Sequence, residues 1–313
     1  MEQIKPTWAD RILAGRTLTE IMTLQRALGA RLATELDAKD AAHETASQLD
    51  SIYQYEEAAI EYREKWGKMQ GVSSGYASID QLTHGFVGGE LVVLGGYTSR
   101  GKTQLAINIT HRLAHKGLPV LFVTLEMTKA MLTSRFMRLG EIGADTPIFF
   151  QSQDAIEPED LAPLIGRAKS DGCQFVVIDH LHYFARGDNM LGKVGEVTRA
   201  FKRLAVEYNL PILLLSQLSR PDKAKRVGRL DVPSLNDLKE SSYIEQDADI
   251  VLMIHRDLPD DNSSDPDIDP SLVYVVQRKN RNRGMIGSQR VQLRHDASNG
   301  VVLSEPSPAF PTR

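Results

Sequence analysis

The segment from Gly96 to Thr103 has the sequence GYTSRGKT, which is a glycine, four further residues and then Gly-Lys-Thr. In such a loop the backbone N–H groups point at a phosphate chain, the lysine reaches the β- and γ-phosphate oxygens, and the hydroxyl group ligates Mg²⁺. The pattern therefore predicts binding of a nucleoside triphosphate with Mg²⁺, with Thr103 as a metal ligand. The residues expected to bind the nucleotide are Gly96, Ser99, Arg100, Gly101, Lys102, Thr103 and Gln104.

Two carboxylates follow apolar segments that are typical of buried strands. Asp179 ends the run Phe175–Asp179, and Glu126 comes shortly after the run 120–124. Because the carboxyl ends of parallel strands meet at one edge of a sheet, both side chains are expected beside the phosphate loop. We expect Asp179 to hold the Mg²⁺ shell and Glu126 to orient and deprotonate a water molecule. The alternatives are a helix cap for Asp179 and, for Glu126, a favourable charge at the start of the helix near Thr128.

A third apolar run, Pro211–Gln217, ends in an amide that could sense the γ-phosphate and transmit its state to the following loop. Short apolar runs alternate with helical or polar stretches from residue 90 onward, which predicts an α/β fold with a mainly parallel sheet covered by helices. The runs Val273–Gln277 and Gln289–Leu293 lie close together and predict an antiparallel hairpin at the sheet edge.

The flanking segments have a different character. Residues 1–70 have helical apolar spacing, with a capping box at Thr17–Glu20, and predict either a satellite on the core or an arm that docks on a neighbouring subunit. The main domain is expected at 71–304, followed by a disordered tail at 305–313. Between its later strands, Asp257–Pro270 contains six Asp and three Pro and predicts a mobile loop rather than a calcium site.

Composition limits the class of protein. The 313 residues are 42% hydrophobic and include a single cysteine, Cys173, and the sequence shows neither a signal peptide nor a membrane-spanning run. A cytoplasmic protein without a membrane partner is therefore expected. Because the net charge is only −4, any nucleic-acid site must be a local basic stretch. The segment 220–229 after Gln217 is such a stretch, and a solvated charge run is its alternative explanation.

Several segments together resemble a known family. GEL from Gly89, GYTSRGKT, VTLEM, VVIDHLHYF, LLSQLSR and DLKESSYIEQDADIVLMIHRD (Asp237–Asp257) resemble, in order, the motor domain of replicative hexameric DNA helicases of the DnaB type. The resemblance runs from about Gly71 to Leu303. It implies a RecA-like P-loop ATPase core in a ring that encircles single-stranded DNA and opens forked duplex DNA. It also implies that Lys102 and Thr103 bind phosphate and Mg²⁺, Glu126 activates water, Asp179 orders the metal and Gln217 links nucleotide state to DNA.

The resemblance further implies that basic residues from the next subunit complete each ATP site. The matching strand has the sequence VQRKNRNRG from Val276, in which Lys279 and Arg281 align best with the trans-acting pair. Arg281 would then stabilise the charge on the transferring phosphoryl group. The adjacent Arg278 and Arg283 leave this register open by one or two residues, and an exposed basic hairpin is the alternative.

DNA contact is expected from two loops. The family holds the DNA backbone through an Arg-Glu-Ser-Gly turn, where this chain has Lys239-Glu-Ser-Ser242, so that a phosphate contact remains but a bidentate arginine is lost. Few aromatic residues lie near these loops, which favours contact with the backbone over base stacking. The expected DNA-binding residues are Arg220, Lys223, Lys225, Arg226, Arg229, Lys239, Glu240 and Ser242.

Other departures from the family concern metals and partners. His180-Leu-His182 replaces the usual Tyr and Gln, and we expect these histidines to pack rather than ligate a metal, since no third ligand is close in sequence. The family's globular amino-terminal domain has no counterpart, which argues against primase binding, whereas a helicase loader is compatible with the resemblance. The alternative functions are a recombinase of the RecA or RadA kind, which forms filaments, and a loader or regulatory ATPase that does not unwind DNA.

Overall fold

The computed structural model describes residues 71–143, 145–152, 158–185, 190–218, 232–238, 241–257, 269–283, 289–296 and 303–305. The chain divides into two units, Met1–Glu64 and Lys65–Arg313, and every described residue belongs to the second. The predicted helices of the 1–70 segment lie outside the described residues. Among the helices that the structure describes, none is long and apolar enough to cross a membrane.

Helices and strands alternate through most of the described chain. In order, the helices and strands are α1 (Ala77–Thr83), β1 (Leu91–Gly96), α2 (Lys102–His115), β2 (Val120–Thr124), α3 (Lys129–Met137), β3 (Ile148–Ser152), α4 (Ala162–Ser170), β4 (Phe175–Asp179), α5 (Met190–Glu207), β5 (Ile212–Gln217), α6 (Ser241–Asp247), β6 (Ile250–His255), β7 (Leu272–Asn280), β8 (Arg290–His295) and β9 (Leu303–Ser304). Short 3₁₀ turns lie at Pro158–Leu161, Leu181–Tyr183, Leu235–Asp237 and Arg281–Arg283.

The strands form one sheet in the order β3-β2-β4-β5-β1-β6-β7-β8-β9. From β3 to β6 every neighbouring pair is parallel, which confirms the predicted α/β fold with a mainly parallel sheet. The strands β7 and β8 pair antiparallel near one edge, as the two late apolar runs predicted. Strand β1 lies between β5 and β6, so the loop that follows β1 begins in the middle of the sheet.

Two strands were not indicated by the sequence. Strand β3 adds to the edge of the sheet beside β2, and β9 adds two residues beside β8 at the other edge. Both lack the long apolar run that marks a strand buried on two faces, because an edge strand is covered less completely. Phe149 in β3, for instance, remains 37% exposed.

Alternate residues of each central strand face opposite sides of the sheet, and helices cover both sides. Leu91 and Val93 of β1 join a buried cluster that includes Ile165 of α4 and Phe201 of α5. Val92 and Leu94 of β1 join the second cluster, which includes apolar residues of α1, α2 and α3. The continuous burial of β1 thus follows from helices on both faces, and it holds the end of this strand rigid.

The far end of the described chain is fixed to the second cluster by hydrogen bonds around Leu303. The Leu303 N–H donates to Asn108 Oδ1 of α2 at 3.0 Å, and the Tyr76 hydroxyl donates to the Leu303 carbonyl at 3.0 Å. Glu305, the first residue of the predicted disordered tail, accepts a hydrogen bond from the Ser78 N–H at 2.6 Å. Residues 306–313 of that predicted tail lie outside the described residues.

We expect Asn108→Ala to lower the free energy of unfolding by about 1–3 kcal/mol, since it leaves the buried Leu303 N–H without its acceptor. Denaturant unfolding of the variant and of Lys116→Ala, an exposed change just beyond the end of the same helix, would measure this. Equal stability of the two variants would show that β9 does not depend on Asn108.

Candidate active site

The loop between β1 and α2 approaches the neighbouring strand closely. A Cβ atom at Gly96 would lie 2.6 Å from Ile254 Cγ2 and 3.1 Å from the Ile254 carbonyl oxygen, so only glycine fits beside β6. Gly101, directly before α2, has φ of 103°, a left-handed conformation that glycine adopts without strain. These two glycines turn the chain from the centre of the sheet into the helix, which leaves the loop backbone at the carboxyl end of β1.

Lys102 is the first residue of α2 and is buried. Its Nζ donates to the carbonyl oxygens of Gly96 at 2.7 Å and Tyr97 at 3.0 Å, so the ammonium group is folded back into the loop. Burial lowers the pKa of Lys102 to about 8, against the opposing influence of Asp179 and Glu126. The side chain is therefore a cation that is poorly hydrated and can pair with an anion such as a phosphate.

Thr103 and Asp179 meet at the same place. The Thr103 hydroxyl donates to Asp179 Oδ2 at 2.9 Å, which joins the start of α2 to the end of β4. Burial raises the pKa of Asp179 to about 6, although the Thr103 hydrogen bond opposes the rise and the nearby Glu126 adds to it. Asp179 is not the cap of the turn that follows, because the His180 side chain accepts the capping bond. A buried carboxylate beside a hydroxyl is the oxygen-rich pair that Mg²⁺ prefers.

Glu126 projects from the chain just after β2. It is exposed and lines the same cleft as Lys102 and Asp179. Helix α3 begins only at Lys129, and Thr128 caps it by accepting a hydrogen bond from the Met131 N–H. Glu126 therefore lies two residues before the cap of this helix, so both the catalytic role and the alternative of a solvated charge near the helix start stay open.

Gln217 lies beside the phosphate loop. It is paired with Gly96 across β1 and β5, and its Nε2 donates to Thr98 Oγ1 at 2.7 Å. The end of β5 thus contacts a residue of the phosphate loop directly.

These residues surround one cleft with a volume of about 310 Å³. Residues 98–104, Glu126, Asp179 and Gln217 all line it. The further lining residues were not among the predicted site residues, and they come from α3, the turn after β4, the end of β6 and the antiparallel strands: Arg135, His180, Arg256, Val273, His295 and Leu303. Only the sheet order reveals that the antiparallel strands β7 to β9 reach this cleft, since no spacing rule connects them with the phosphate loop.

Two of these additional residues bear on the electrostatics of the cleft. The positive charge of Arg135 acts on Asp179 and partly offsets the effect of burial on the pKa of that carboxyl group. His180 has a pKa lowered to about 4 by burial, with His182 and Lys102 adding to the effect, so its ring is neutral at pH 7. That ring packs against Tyr183, with the two ring centroids 4.7 Å apart. Within the described ranges, no cluster of three or more His, Cys, Asp or Glu is arranged to hold a metal.

The predicted trans-acting residues do not line this cleft. Lys279 and Arg281 lie at the end of β7, which runs antiparallel to β6, and Asn280 is paired with Ile250 at the amino end of β6. The phosphate loop lies at the opposite, carboxyl end of the parallel strands, beyond the Gly95–Met253 pair. A six-residue strand spans roughly 17–20 Å, so neither side chain can reach the cleft of its own chain.

Most of the predicted DNA-binding residues lie outside the described residues, namely Arg220, Lys223, Lys225, Arg226, Arg229, Lys239 and Glu240. Ser242 falls within the bounds of α6. Leu218 and Leu238, which shortly precede the two predicted loops, are described and form an antiparallel bridge with each other. Both predicted DNA loops therefore start from one paired site, immediately after Gln217.

Comparison with known proteins assigns the family. The sequence model for the DnaB-like helicase C-terminal domain matches residues 71–144 and 139–299. The chain belongs to the DnaB-like helicase family. It is 33% identical over 303 residues to the replicative DNA helicase DnaB of Mycoplasma genitalium, covering 85% of this chain and 63% of that relative. It is 30% identical over 271 residues to a probable replicative DNA helicase of Trieres chinensis, covering 76% of this chain and 58% of that relative. The match therefore spans only about three fifths of the length of these DnaB-like relatives.

Solved structures agree on the fold. One structure of an ATPase domain has a TM-score of 0.69 at 22% identity, covering 83% of this chain and all of that one. A DnaB-like replicative helicase studied for its interactions with primase has a TM-score of 0.67 at 21% identity, covering 92% of this chain and 76% of that one. The RadB recombinase has a TM-score of 0.51 at 17% identity, covering 75% of this chain and 99% of that one. The predicted RecA-like fold of this DnaB-like chain is thereby confirmed.

The raised pKa of Asp179 predicts a pH-dependent stability. The pKa of Asp179 in the folded protein is about 6, above its ordinary value of 3.8, so folding favours the protonated carboxyl group. The stabilisation that follows is complete below pH 3.8 and is lost as the pH rises through 6. In EDTA without nucleotide, Asp179→Asn should therefore be more stable than the wild type at pH 8, by up to about 3 kcal/mol. The difference should shrink by pH 5.

Thermal melting at the two pH values measures this effect. Asp171→Asn, which removes an exposed carboxylate paired with Arg167, is the matched control. If Asp179→Asn were less stable than the wild type at pH 8, the ionised carboxylate would instead be stabilised by its partners.

Proposed function

We propose that this chain is an ATP-dependent DNA helicase of the DnaB type, which assembles as a ring and hydrolyses ATP at subunit interfaces to move along single-stranded DNA. The main support is the convergence of Lys102, the Thr103–Asp179 pair, Glu126 and Gln217 on one cleft. Family membership makes DNA replication the expected setting.

The cleft fits a nucleoside triphosphate with Mg²⁺. The loop backbone and Lys102 would bind the phosphate chain, with Ser99, Arg100, Gly101 and Gln104 also lining the cleft. Thr103 and Asp179 supply the oxygen ligands for Mg²⁺, which when bound neutralises charge on the phosphate oxygens. Lys102 already sits within a shell of carbonyl oxygens, from which it can turn to a phosphate.

Glu126 is the proposed general base. It is exposed to solvent on the cleft wall, so water can reach it. The cap of α3 is Thr128, so the Glu126 carboxylate is not used as the helix cap. A carboxylate in this position can orient a water molecule toward the terminal phosphorus and accept its proton. Glu126→Gln should therefore bind ATP but fail to hydrolyse it.

The proposed trans arrangement follows from the distance between the two ends of the sheet. Lys279 and Arg281 are at the amino end of the parallel strands, whereas the phosphate loop is at the carboxyl end. If these cations act on a phosphoryl group, that group must belong to another chain. Hydrolysis would then require assembly, since an isolated subunit lacks the cation that stabilises the transition state.

The contact between Gln217 and Thr98 is the proposed link from nucleotide to DNA. A change in the phosphate loop would act on Gln217 and, through Leu218, on the site from which both basic loops start. The predicted DNA-binding residues between 220 and 229, and those between 239 and 242, follow Leu218 and Leu238 closely in the chain. We propose that they contact the phosphates of one strand, and that forked duplex DNA is the natural substrate.

The second candidate function is a recombinase, which the likeness to RadB keeps open on fold alone. Release of a labelled strand from a forked duplex, driven by ATP, distinguishes the two. We expect release by the wild type and none by Lys102→Ala, which lacks the phosphate-binding cation. ATP turnover that responds to DNA without any release, together with open filaments in negative-stain images, would favour the recombinase.

A complementation experiment tests the composite site. Arg281→Ala should lower ATP turnover by roughly 10³-fold, and Lys102→Ala should abolish it. Mixing the two variants should restore turnover, because a Lys102→Ala chain can lend its intact Arg281 to the intact phosphate loop of an Arg281→Ala chain.

Arg135 provides the matched comparison, because it is an arginine within the cleft of the same chain. If Arg135 supplied the decisive cation, Arg135→Ala would abolish turnover and Arg281→Ala would not. That outcome, or the absence of restored turnover in the mixture, would contradict the composite site.

A further inference from the structure

The trans-acting residues are held by a cradle in their own chain, which we define as Asp249 and the carbonyl groups at the end of α6. Arg281 Nη1 donates to Asp249 Oδ1 at 3.2 Å, and Nη2 donates to the Gln246 carbonyl. Lys279 Nζ donates to the Ala248 carbonyl at 2.6 Å and also to the Glu245 carbonyl. The carboxyl end of a helix favours cations, so the acceptors and the cations are matched in charge.

Asp249 is itself fixed more firmly than a surface ion pair. Its side chain is only 5% exposed, and its Oδ2 accepts from Lys202 Nζ at 2.7 Å and from the Leu91 N–H at 2.8 Å. Lys202 in turn donates to the Gly89 carbonyl at 2.7 Å. The carboxylate is therefore anchored to the start of β1 and to α5, and its remaining oxygen, Oδ1, faces Arg281.

The guanidinium contact is not needed to fasten the end of β7. The Arg281 backbone N–H already donates to the Asp249 carbonyl at 2.8 Å, and the β6–β7 ladder continues to Asn280. The negative charge of Asp249 is likewise compensated by Lys202. What the Asp249–Arg281 contact adds is a defined orientation of the guanidinium group.

That orientation leaves donors available. A guanidinium carries five N–H donors, and Asp249 and Gln246 require only one each. The Arg281 side chain is 44% exposed, so part of it remains accessible to a ligand from outside the chain. A long flexible side chain held in this way has already lost the rotamer freedom that it would otherwise lose on meeting a phosphate.

We propose that Asp249 is a positioning residue, which orients Arg281 for use by the neighbouring subunit. This inference rests on the composite site put forward under the proposed function. Asp249 does not touch the nucleotide in either chain. It acts through Arg281, and its effect should appear only in the subunit that lends the arginine.

The test uses the mixture of Lys102→Ala chains, which lend Arg281, with Arg281→Ala chains, which supply the phosphate loop. Asp249→Asn in the lending chain should lower the restored turnover about tenfold to a hundredfold, because a misplaced catalytic group loses rate steeply. The same substitution in the Arg281→Ala chain should leave the restored turnover unchanged, since that chain contributes no Arg281. Arg203→Ala in the lending chain, which breaks an exposed ion pair on α5, is the control.

The outcomes separate the two proposals. An equal loss of restored turnover with Asp249→Asn in either chain would mean that Asp249 serves folding alone. No loss of restored turnover in either chain would mean that Arg281 needs no orientation. Each of these two results would overturn the positioning role. Failure of the parent mixture to restore turnover would overturn the composite site, and the role of Asp249 with it. Melting temperatures of each variant show whether a folding defect accompanies an equal loss.

Discussion

The parallel pairing of β1 with β5 on one side and with β6 on the other is the constraint on which the rest of the site depends. The register of β1 and β5 pairs Gly96 with Gln217. The register of β2 and β4 pairs Thr124 with Asp179, and Glu126 follows Thr124 by two residues. Because parallel strands all end at the same side, residues distant in sequence arrive together without any direct attraction between them. Shifting β5 by one residue would turn Gln217 to the other face of the sheet and away from Thr98.

Buried charged groups lie at both ends of the same sheet. At the carboxyl end, the pKa of Asp179 is raised and that of Lys102 is lowered, both mainly by burial. At the amino end, Asp249 is surrounded by Lys202, Arg281 and a backbone N–H. Burial lowers the pKa of Lys279 at this end too, so the effect of burial on charged groups is common to both ends of the sheet.

The sequence predicted those features that depend on local pattern. The phosphate loop, the strand ends at Asp179 and Gln217, and the late hairpin each lie within a short continuous segment, so apolar runs and residue types sufficed. Strand β3 was missed because its half-exposed edge residues do not form a buried run. Arg135, Arg256 and His295 were missed because only the strand order brings them to the cleft. The contacts of Asp249 were equally hidden, since its partners come from β1, α5 and the turn after β7.

Separating the two ends of one sheet has a consequence for any assembly of this chain. The antiparallel pairing of β7 with β6 carries Lys279 and Arg281 back to the amino end, so the cleft lies at one end of the sheet and these two cations at the other. A head-to-tail contact, repeated from chain to chain, would bring the cleft of each chain to the cations of the next. Head-to-tail contacts close into rings or continue as filaments. The rotation between neighbouring chains decides which of the two assemblies forms.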